Sequence, residues 1–333
     1  MTGLVAGHPL PARLAAGDDP GLTAWRDQLP RLVQELLARW ELTASAPFTP
    51  GGSSAWVAPV RDVDGAERVV KVAWAHEESR DEAAGMVAWQ GHGAARVHRS
   101  ELRGETAALL LDRVRPGTPL AELMTWPERD EVIAAVARGL WRPPNELLPS
   151  EVVGTDLAGG AAFRPLSQMC AWWADSAQQR ADAGLSPLPR DLVDHGLGLF
   201  RELPVQWDGE DVLLATDLHP GNVLASTGRS TAGSTGGTAD ADGGGKDGSR
   251  RRWVLIDPKP YVGDPHYDVL QHMFNDPDRL RAQPGPFADR MAGLAGLDPH
   301  RVRRWLLARC VQEAGVLDAA GEAALTLVAH GVE

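Results

Sequence analysis

Three polar residues in the second half of the chain have the types and the order that phosphoryl transfer needs. Asp217 and Asn222 lie in LLATDLHPGNVLA, and Asp257 follows in WVLIDPKPYVGDPHYDV. In kinase chemistry one carboxylate accepts or orients the proton of the attacking hydroxyl. An amide oxygen and a second carboxylate hold the Mg²⁺ ions that neutralise the phosphates of ATP. The D-x-x-x-x-N spacing lets one loop present the aspartate to a hydroxyl and turn back to aim the asparagine oxygen at metal. Singly, these residues have ordinary readings as a turn residue, a loop amide and a strand-end cap. Their surroundings favour a site: residues 212–214 read as a short buried strand, 223–224 as another, and 253–256 as a third that ends at Asp257.

The elements that would position these groups start upstream. Residues 30–42, PRLVQELLARWEL, place Leu32, Leu36, Leu37 and Trp40 on one helical face. The period then changes, and FTPGGSSAWVAPV, a turn around residues 62–65, and ERVVKVAW read as hairpin strands. Lys71 sits mid-strand between Val70 and Val72. Burying it is costly unless it meets an anion, here the α- and β-phosphates of ATP, the alternative being a lysine that reaches out to solvent. Gly51, Gly52, Ser53 and Ser54 lie between the first strands of that sheet. Glycines let backbone N–H groups approach phosphate, although such a run also makes an ordinary turn.

Five ordered stretches, LLATDLHPGNVL (213–224), LIDPKPYVGDPHYDV (255–269), VVKVAW (69–74), DEAAGMVAWQGHGAARV (81–97) and LLLDRVRPGTPL (109–120), resemble the aminoglycoside/hydroxyurea phosphotransferase family, particularly its streptomycin 6-phosphotransferase-like members. The resemblance implies an α+β, two-lobed protein-kinase-like fold that uses ATP and Mg²⁺. An N-terminal antiparallel sheet lobe with one key helix, residues 1–115, would bind nucleotide, with 1–20 a loose lead-in. A larger, mainly helical C-terminal lobe, residues 116–333, would hold the catalytic and substrate residues. By the same resemblance Glu82, on a helix over 77–89, positions Lys71, with Glu78 as a possible substitute. Backbone groups of Asp112 to Val114 form the hinge that reads adenine. Asp268 braces the catalytic loop through backbone N–H groups, and the last helices wall the substrate cleft. One departure is visible: Ala215 stands where kinases of this type usually carry a structural histidine, so the support of the loop must differ.

Helical periodicity continues over 121–139, 163–183, 190–203 and 299–317. Residues 226–252 contain almost no apolar side chain and read as a disordered tip inserted into a hairpin, since loop closure costs little more as length grows. His219 is expected to bond within its own loop. Lys259 is expected to pair with phosphate or with an acidic neighbour. Glu313 and Asp318 could face a cationic substrate, but exposed helix charges are the commoner case. Most of the 12 tryptophans, Trp172 and Trp173 included, are expected in the core rather than at a ligand.

At 333 residues the chain is long enough for two lobes, and 43% hydrophobic content fits a soluble globular protein. No apolar run approaches the roughly 20 residues that span a bilayer, and residues 1–16 lack the pattern of a secretory signal. A cytoplasmic location without membrane partners is the resulting expectation. Cys170 and Cys310 read as buried free thiols. The net charge of -12 argues against nucleic acid and suits a cationic acceptor, although it serves solubility equally well. The expected activity is transfer of the ATP γ-phosphate to a hydroxyl of a small molecule, foremost an aminoglycoside such as streptomycin. Hydroxyurea or another metabolite as acceptor, and a nucleotide-binding pseudokinase, are the alternatives.

Overall fold

In the computed structural model of the chain, residues 4–75, 81–144, 163–227 and 252–333 are described. They fall into two compact units, one ending at Val114 and the other beginning at Arg115. The first holds α1 (Ala12–Ala16), α2 (Pro20–Trp40), β1 (Thr43–Ala44), β2 (Ala55–Arg61), β3 (Glu67–Trp74), α3 (Glu82–Trp89), β4 (Val97–Arg103) and β5 (Thr106–Asp112). The strands form one antiparallel sheet in the order β1-β2-β3-β5-β4. The β2–β3 turn is set by Asp62, whose side chain accepts from the Ala66 N–H, and by Gly65 at φ +78°.

The two faces of this sheet have different fates. Strand alternation puts Trp56, Ala58, Val60, Val70, Val72, Ala108 and Leu110 on one side, where they join Trp25, Leu29, Val33 and Leu36 of α2 in a single apolar core. Lys71, opposite Val57 on one neighbour and Leu109 on the other, lies on the reverse face. The helix expected from residue 30 starts at Pro20. Asp19 accepts from the Gly21 and Leu22 N–H groups at 2.8 and 3.0 Å, and Pro20 occupies the first turn, where its missing N–H costs nothing. Pro30, which made the longer helix hard to read, is accommodated inside it. Residues 4–20, expected as a loose lead-in, contain α1 and bury Val5 and Leu14 completely.

The second unit holds β6 (Pro116–Pro119), α4 (Leu120–Leu123), α5 (Trp126–Leu140), α6 (Leu166–Asp182), α7 (Arg190–Glu202), β7 (Val212–Leu214), β8 (Val223–Ser226), β9 (Arg252–Leu255), β10 (Tyr261–Gly263), α8 (Leu270–Phe274), α9 (Pro277–Ala282), α10 (Pro284–Ala295), α11 (Pro299–Glu313) and α12 (Asp318–Ala329). The helix expected over 121–139 is two helices. Thr125 breaks it and caps α5, exchanging bonds with Glu128 in a capping box. Strand β7 pairs with β10, and β6, β8 and β9 form a second small sheet. Ser226 and Arg252, placed in the expected disordered insertion, are paired strand residues, while residues 228–251 lie outside those described.

Helix α11 is the spine of this unit, with Trp305, Leu306, Leu307 and Cys310 fully buried. Cys170 and Cys310 are buried free cysteines. Asp264 ties the turn after β10 to α11: its carboxylate accepts from Arg301 Nε and Trp305 Nε1, both at 2.6 Å. Burial works to raise its pKa, but these bonds and those from His266 hold it below the usual carboxylate range. Asp130 of α5 is held down in the same manner by His272, Arg279 and Arg290 from α8, α9 and α10. No helix among the described residues is long and apolar enough to cross a membrane.

Helices α7 and α11 approach closely because Gly196 carries no side chain; a Cβ there would lie 2.5 Å from Val311 Cγ2. Gly196→Ala should therefore lower the urea-unfolding free energy by about 1–3 kcal/mol, the usual cost of overpacking. An unchanged unfolding midpoint would mean that the two helices can part at no cost.

Candidate active site

In the first unit, β3 carries Lys71 and the N-terminus of α3 carries Glu82. Both are nearly buried, at 8% and 4% exposure, and Lys71 Nζ donates to both Glu82 carboxylate oxygens at 2.7 Å. Two charges are tolerated there because each answers the other. Glu82 is therefore a partner of the strand lysine, and Glu78 lies outside the described residues. Helix α3 begins at Glu82, and the stretch 77–80 of the expected helix is likewise outside them.

The run Gly51, Gly52, Ser53, Ser54 leads from β1 into β2. Gly51 has a packing reason to be glycine: its φ is +77°, and a Cβ would meet Pro11 Cβ at 2.5 Å. Gly52 and Ser53 are exposed. The Ser54 carbonyl accepts from the Trp74 N–H at 2.9 Å, which anchors the run to the end of β3. At the end of β5, the Asp112 N–H is taken by the Arg96 carbonyl at 2.9 Å. The Asp112 carboxylate is bonded to His98 at 2.6 Å, which together with the nearby Arg68 keeps its pKa low against partial burial.

In the second unit, the loop from Ala215 to Asn222 runs between β7 and β8. Its shape follows from one buried carboxylate. Asp268, fully buried, accepts from the Thr216 N–H at 2.7 Å, the Ala215 N–H at 3.2 Å and the Trp141 indole N–H at 2.9 Å. Burial raises its pKa above the usual carboxylate value, and the three donors oppose that rise. The brace expected at Asp268 is thus present, and Trp141, at the end of α5, is a member of it that sequence reading did not single out.

Asp217 emerges from this brace half-buried. Asn222 Nδ2 donates to the Asp217 carbonyl at 3.2 Å, and Asn222 N–H donates to the His219 carbonyl at 2.9 Å, so the two ends of D-x-x-x-x-N are pinned together. His219 makes the expected bond within the loop: its Nδ1 accepts from the Gly221 N–H at 3.1 Å, which leaves Nε2, 3.8 Å from Asp217 Oδ1, to carry the proton. Burial lowers the His219 pKa, against the pull of Asp217 and Asp257. Asp257 follows β9 at φ +53° with its side chain exposed, and Lys259 Nζ stands 3.7 Å from Asp217 Oδ2. Lys259 has thus met its acidic neighbour.

One residue in this loop was missed by sequence reading. Thr216 is buried at φ +48°, a conformation that costs a β-branched residue on the order of 1–3 kcal/mol. Its hydroxyl donates to the Lys259 carbonyl at 2.5 Å. A Thr within a loop gives no signal of this kind; only the backbone angle does.

Other candidates fall outside these clusters. Trp173 lies under the Arg309 guanidinium at 4.2 Å, and Glu313 pairs with Arg309 at 2.8 Å, so both are engaged within the helical core. Trp172, expected in the core, is instead exposed on α6, and Asp318 opens α12.

The donor chemistry suits Mg²⁺ and ATP phosphates. Asn222 and Asp257 offer hard oxygen donors. Mg²⁺ takes one or two carboxylates and completes its shell with phosphate and water, so no all-protein cage is required. Among the described residues, no group of three His, Cys, Asp or Glu could hold a metal by itself.

Comparison with known proteins follows the same line. The family model described as aminoglycoside/hydroxyurea antibiotic resistance kinase matches residues 39–321. A hydroxyurea phosphotransferase of Kitasatospora aureofaciens is 34% identical over 288 residues, covering 85% of this chain and 72% of that protein. A streptomycin 6-kinase of Streptomyces glaucescens is 29% identical over 314 residues, covering 92% and 89%. Among solved structures, an ethanolamine kinase of Plasmodium vivax superposes with a TM-score of 0.54 over 94% of each chain at 10% identity. That likeness speaks for the fold alone, and it is the kinase-like α+β fold that the sequence motifs implied.

Asp268→Ala would strip two buried backbone N–H groups and the partly buried Trp141 indole N–H of their acceptor, the buried ones each worth about 1–3 kcal/mol. Urea unfolding of this variant should show a loss of at least about 2 kcal/mol. A loss below about 1 kcal/mol would mean that the loop is held by other contacts.

Proposed function

Because the chain belongs to the aminoglycoside/hydroxyurea antibiotic resistance kinase family, whose members transfer phosphate to small molecules, we propose that it moves the γ-phosphate of ATP to a hydroxyl of an aminoglycoside, streptomycin foremost. The observation that supports this reading most is the braced loop, in which Asp217 and Asn222 are pinned together beneath the bonds that Asp268 accepts. In this reading Asp217 orients the acceptor hydroxyl and takes up its proton. The Asn222 amide uses its nitrogen on the Asp217 carbonyl, which leaves its oxygen for metal, and Asp257 supplies the second ligand. Mg²⁺, when bound with ATP, supplies neutralisation of phosphate charge. Lys71, oriented by Glu82, binds the α- and β-phosphates. The Gly51, Gly52, Ser53, Ser54 run covers phosphate with backbone N–H groups, and backbone at Asp112 and Val114 reads adenine. A cationic acceptor suits a protein with a net charge of -12, and neither nucleic acid nor a membrane is expected as partner.

Hydroxyurea is the second reading, favoured by the higher identity to the Kitasatospora relative, 34% against 29%. Transfer from labelled ATP with Mg²⁺ to streptomycin, other aminoglycosides and hydroxyurea separates the two. Streptomycin should be labelled. Asp217→Asn should lower kcat by about 10²–10⁴-fold with the ATP Kd within about threefold, and chelation of Mg²⁺ should abolish transfer until the metal is restored. Labelling of hydroxyurea alone would move the assignment to the second reading. ATP binding without transfer to any acceptor would favour a regulator without catalysis.

A further inference from the structure

We propose that Thr216 is a positioning residue that locks the loop bearing Asp217 to the loop bearing Asp257, so that the hydroxyl-orienting carboxylate and the metal-binding carboxylate keep one spacing. This inference rests on the roles assigned to those two aspartates above. Two observations carry it, one conformational and one geometric.

Thr216 adopts φ +48°, which glycine reaches freely and a β-branched residue reaches only under strain. It is buried, so its side chain is not there to meet solvent. What the side chain does in that conformation is donate its hydroxyl to the Lys259 carbonyl at 2.5 Å. The strained angle and the short bond occur at the same residue, and the bond reaches from its own loop across to the next.

The geometry around this bond shows what it controls. The two loops are tied at both ends by backbone bonds: Ile256 N–H donates to the Asn222 carbonyl and Lys259 N–H to the Ala215 carbonyl, both at 2.9 Å. Asp257 lies between these two ties. The tie at the Lys259 N–H holds the Pro258–Lys259 peptide. The Thr216 hydroxyl bonds the Lys259 carbonyl and so holds the next peptide, Lys259–Pro260, which makes the two ties a clamp across this residue. The Thr216 N–H is itself fixed by Asp268 at 2.7 Å, so the clamp is referred to the buried brace rather than to a mobile side chain. Without the hydroxyl, the Lys259 carbonyl loses this donor and the clamp on the segment that carries Asp257 is loosened.

Three variants test this. Thr216→Val keeps the shape and removes the hydroxyl, Thr216→Ser keeps the hydroxyl, and Thr216→Gly relieves the backbone strain without restoring the bond. For Thr216→Val, with rates referred to the folded fraction by circular dichroism, kcat should fall by about 10–100-fold with the acceptor KM within about twofold. The Mg²⁺ concentration for half-maximal ATP binding should rise by about fivefold or more. Thr216→Ser should recover both to within about threefold, and Thr216→Gly should behave kinetically like the valine variant. A valine variant whose kcat and Mg²⁺ midpoint stay within about twofold of the parent would overturn the proposal, even if its melting temperature drops. So would a serine variant as impaired as the valine one. Should the unmodified protein bind Mg²⁺ and ATP yet transfer phosphate to no acceptor, the catalytic reading fails while the Mg²⁺ midpoints still decide on the clamp. If it shows no Mg²⁺-dependent ATP binding, both are overturned.

Discussion

A carboxylate with no access to water must find its hydrogen bonds inside the protein, and at Asp268 that requirement organises the second unit. Its oxygens accept from two successive backbone N–H groups, those of Ala215 and Thr216, and from the Trp141 indole. The loop cannot move away without exposing an uncompensated buried charge, which is among the most costly events available to a folded chain. The path from β7 to β8 is therefore fixed before any ligand arrives. Asp217 and Asn222 inherit their positions from it, and so does the tie to the strand that ends near Asp257. Asp264, a few residues earlier, extends the same logic to α11 through Arg301 and Trp305.

The first unit solves a related problem on a sheet. One face is given over to an apolar core shared with α2, and the reverse face places Lys71 among strand neighbours that offer it no counter-charge. Glu82, delivered by α3, supplies that charge at 2.7 Å. Such a pair contributes little net stability, because desolvation offsets most of the attraction, but it fixes the ammonium in one place. Preorganised charge of this kind is what phosphate binding needs, since a lysine already held loses little further freedom on meeting its ligand.

Ala215 illustrates how a motif can change while its purpose is kept. Where kinases of this type usually carry histidine, this chain has a methyl group packed in the interior, and the loop is steadied by neighbours instead. The Ala215 carbonyl accepts from the Lys259 N–H, the Thr216 hydroxyl reaches the Lys259 carbonyl, and the Trp141 indole gives Asp268 a third donor. Support that a histidine side chain would give from one position is here spread over several.

The amino-acid sequence by itself determined the strands β2, β3, β7, β8 and β9, the helices α2, α3, α5, α6, α7 and α11, and the order of Asp217, Asn222 and Asp257, because alternation, helical periodicity and short motifs are local properties of a chain. It misjudged where locality is interrupted. Pro30 hid the first turns of α2, Thr125 split a helix read as continuous, and Gly- and Pro-rich residues near the start concealed the burial of Val5 and Leu14. Only the tertiary structure brought Glu82 within 2.7 Å of Lys71, joined Trp141 to Asp268, and paired the Thr216 hydroxyl with Lys259. Those contacts link residues far apart in the chain, and they depend on a backbone angle or a buried surface that no sequence window contains. A buried polar group declares which partner it needs, but the partner is selected only when packing has brought the candidates within a hydrogen bond's length.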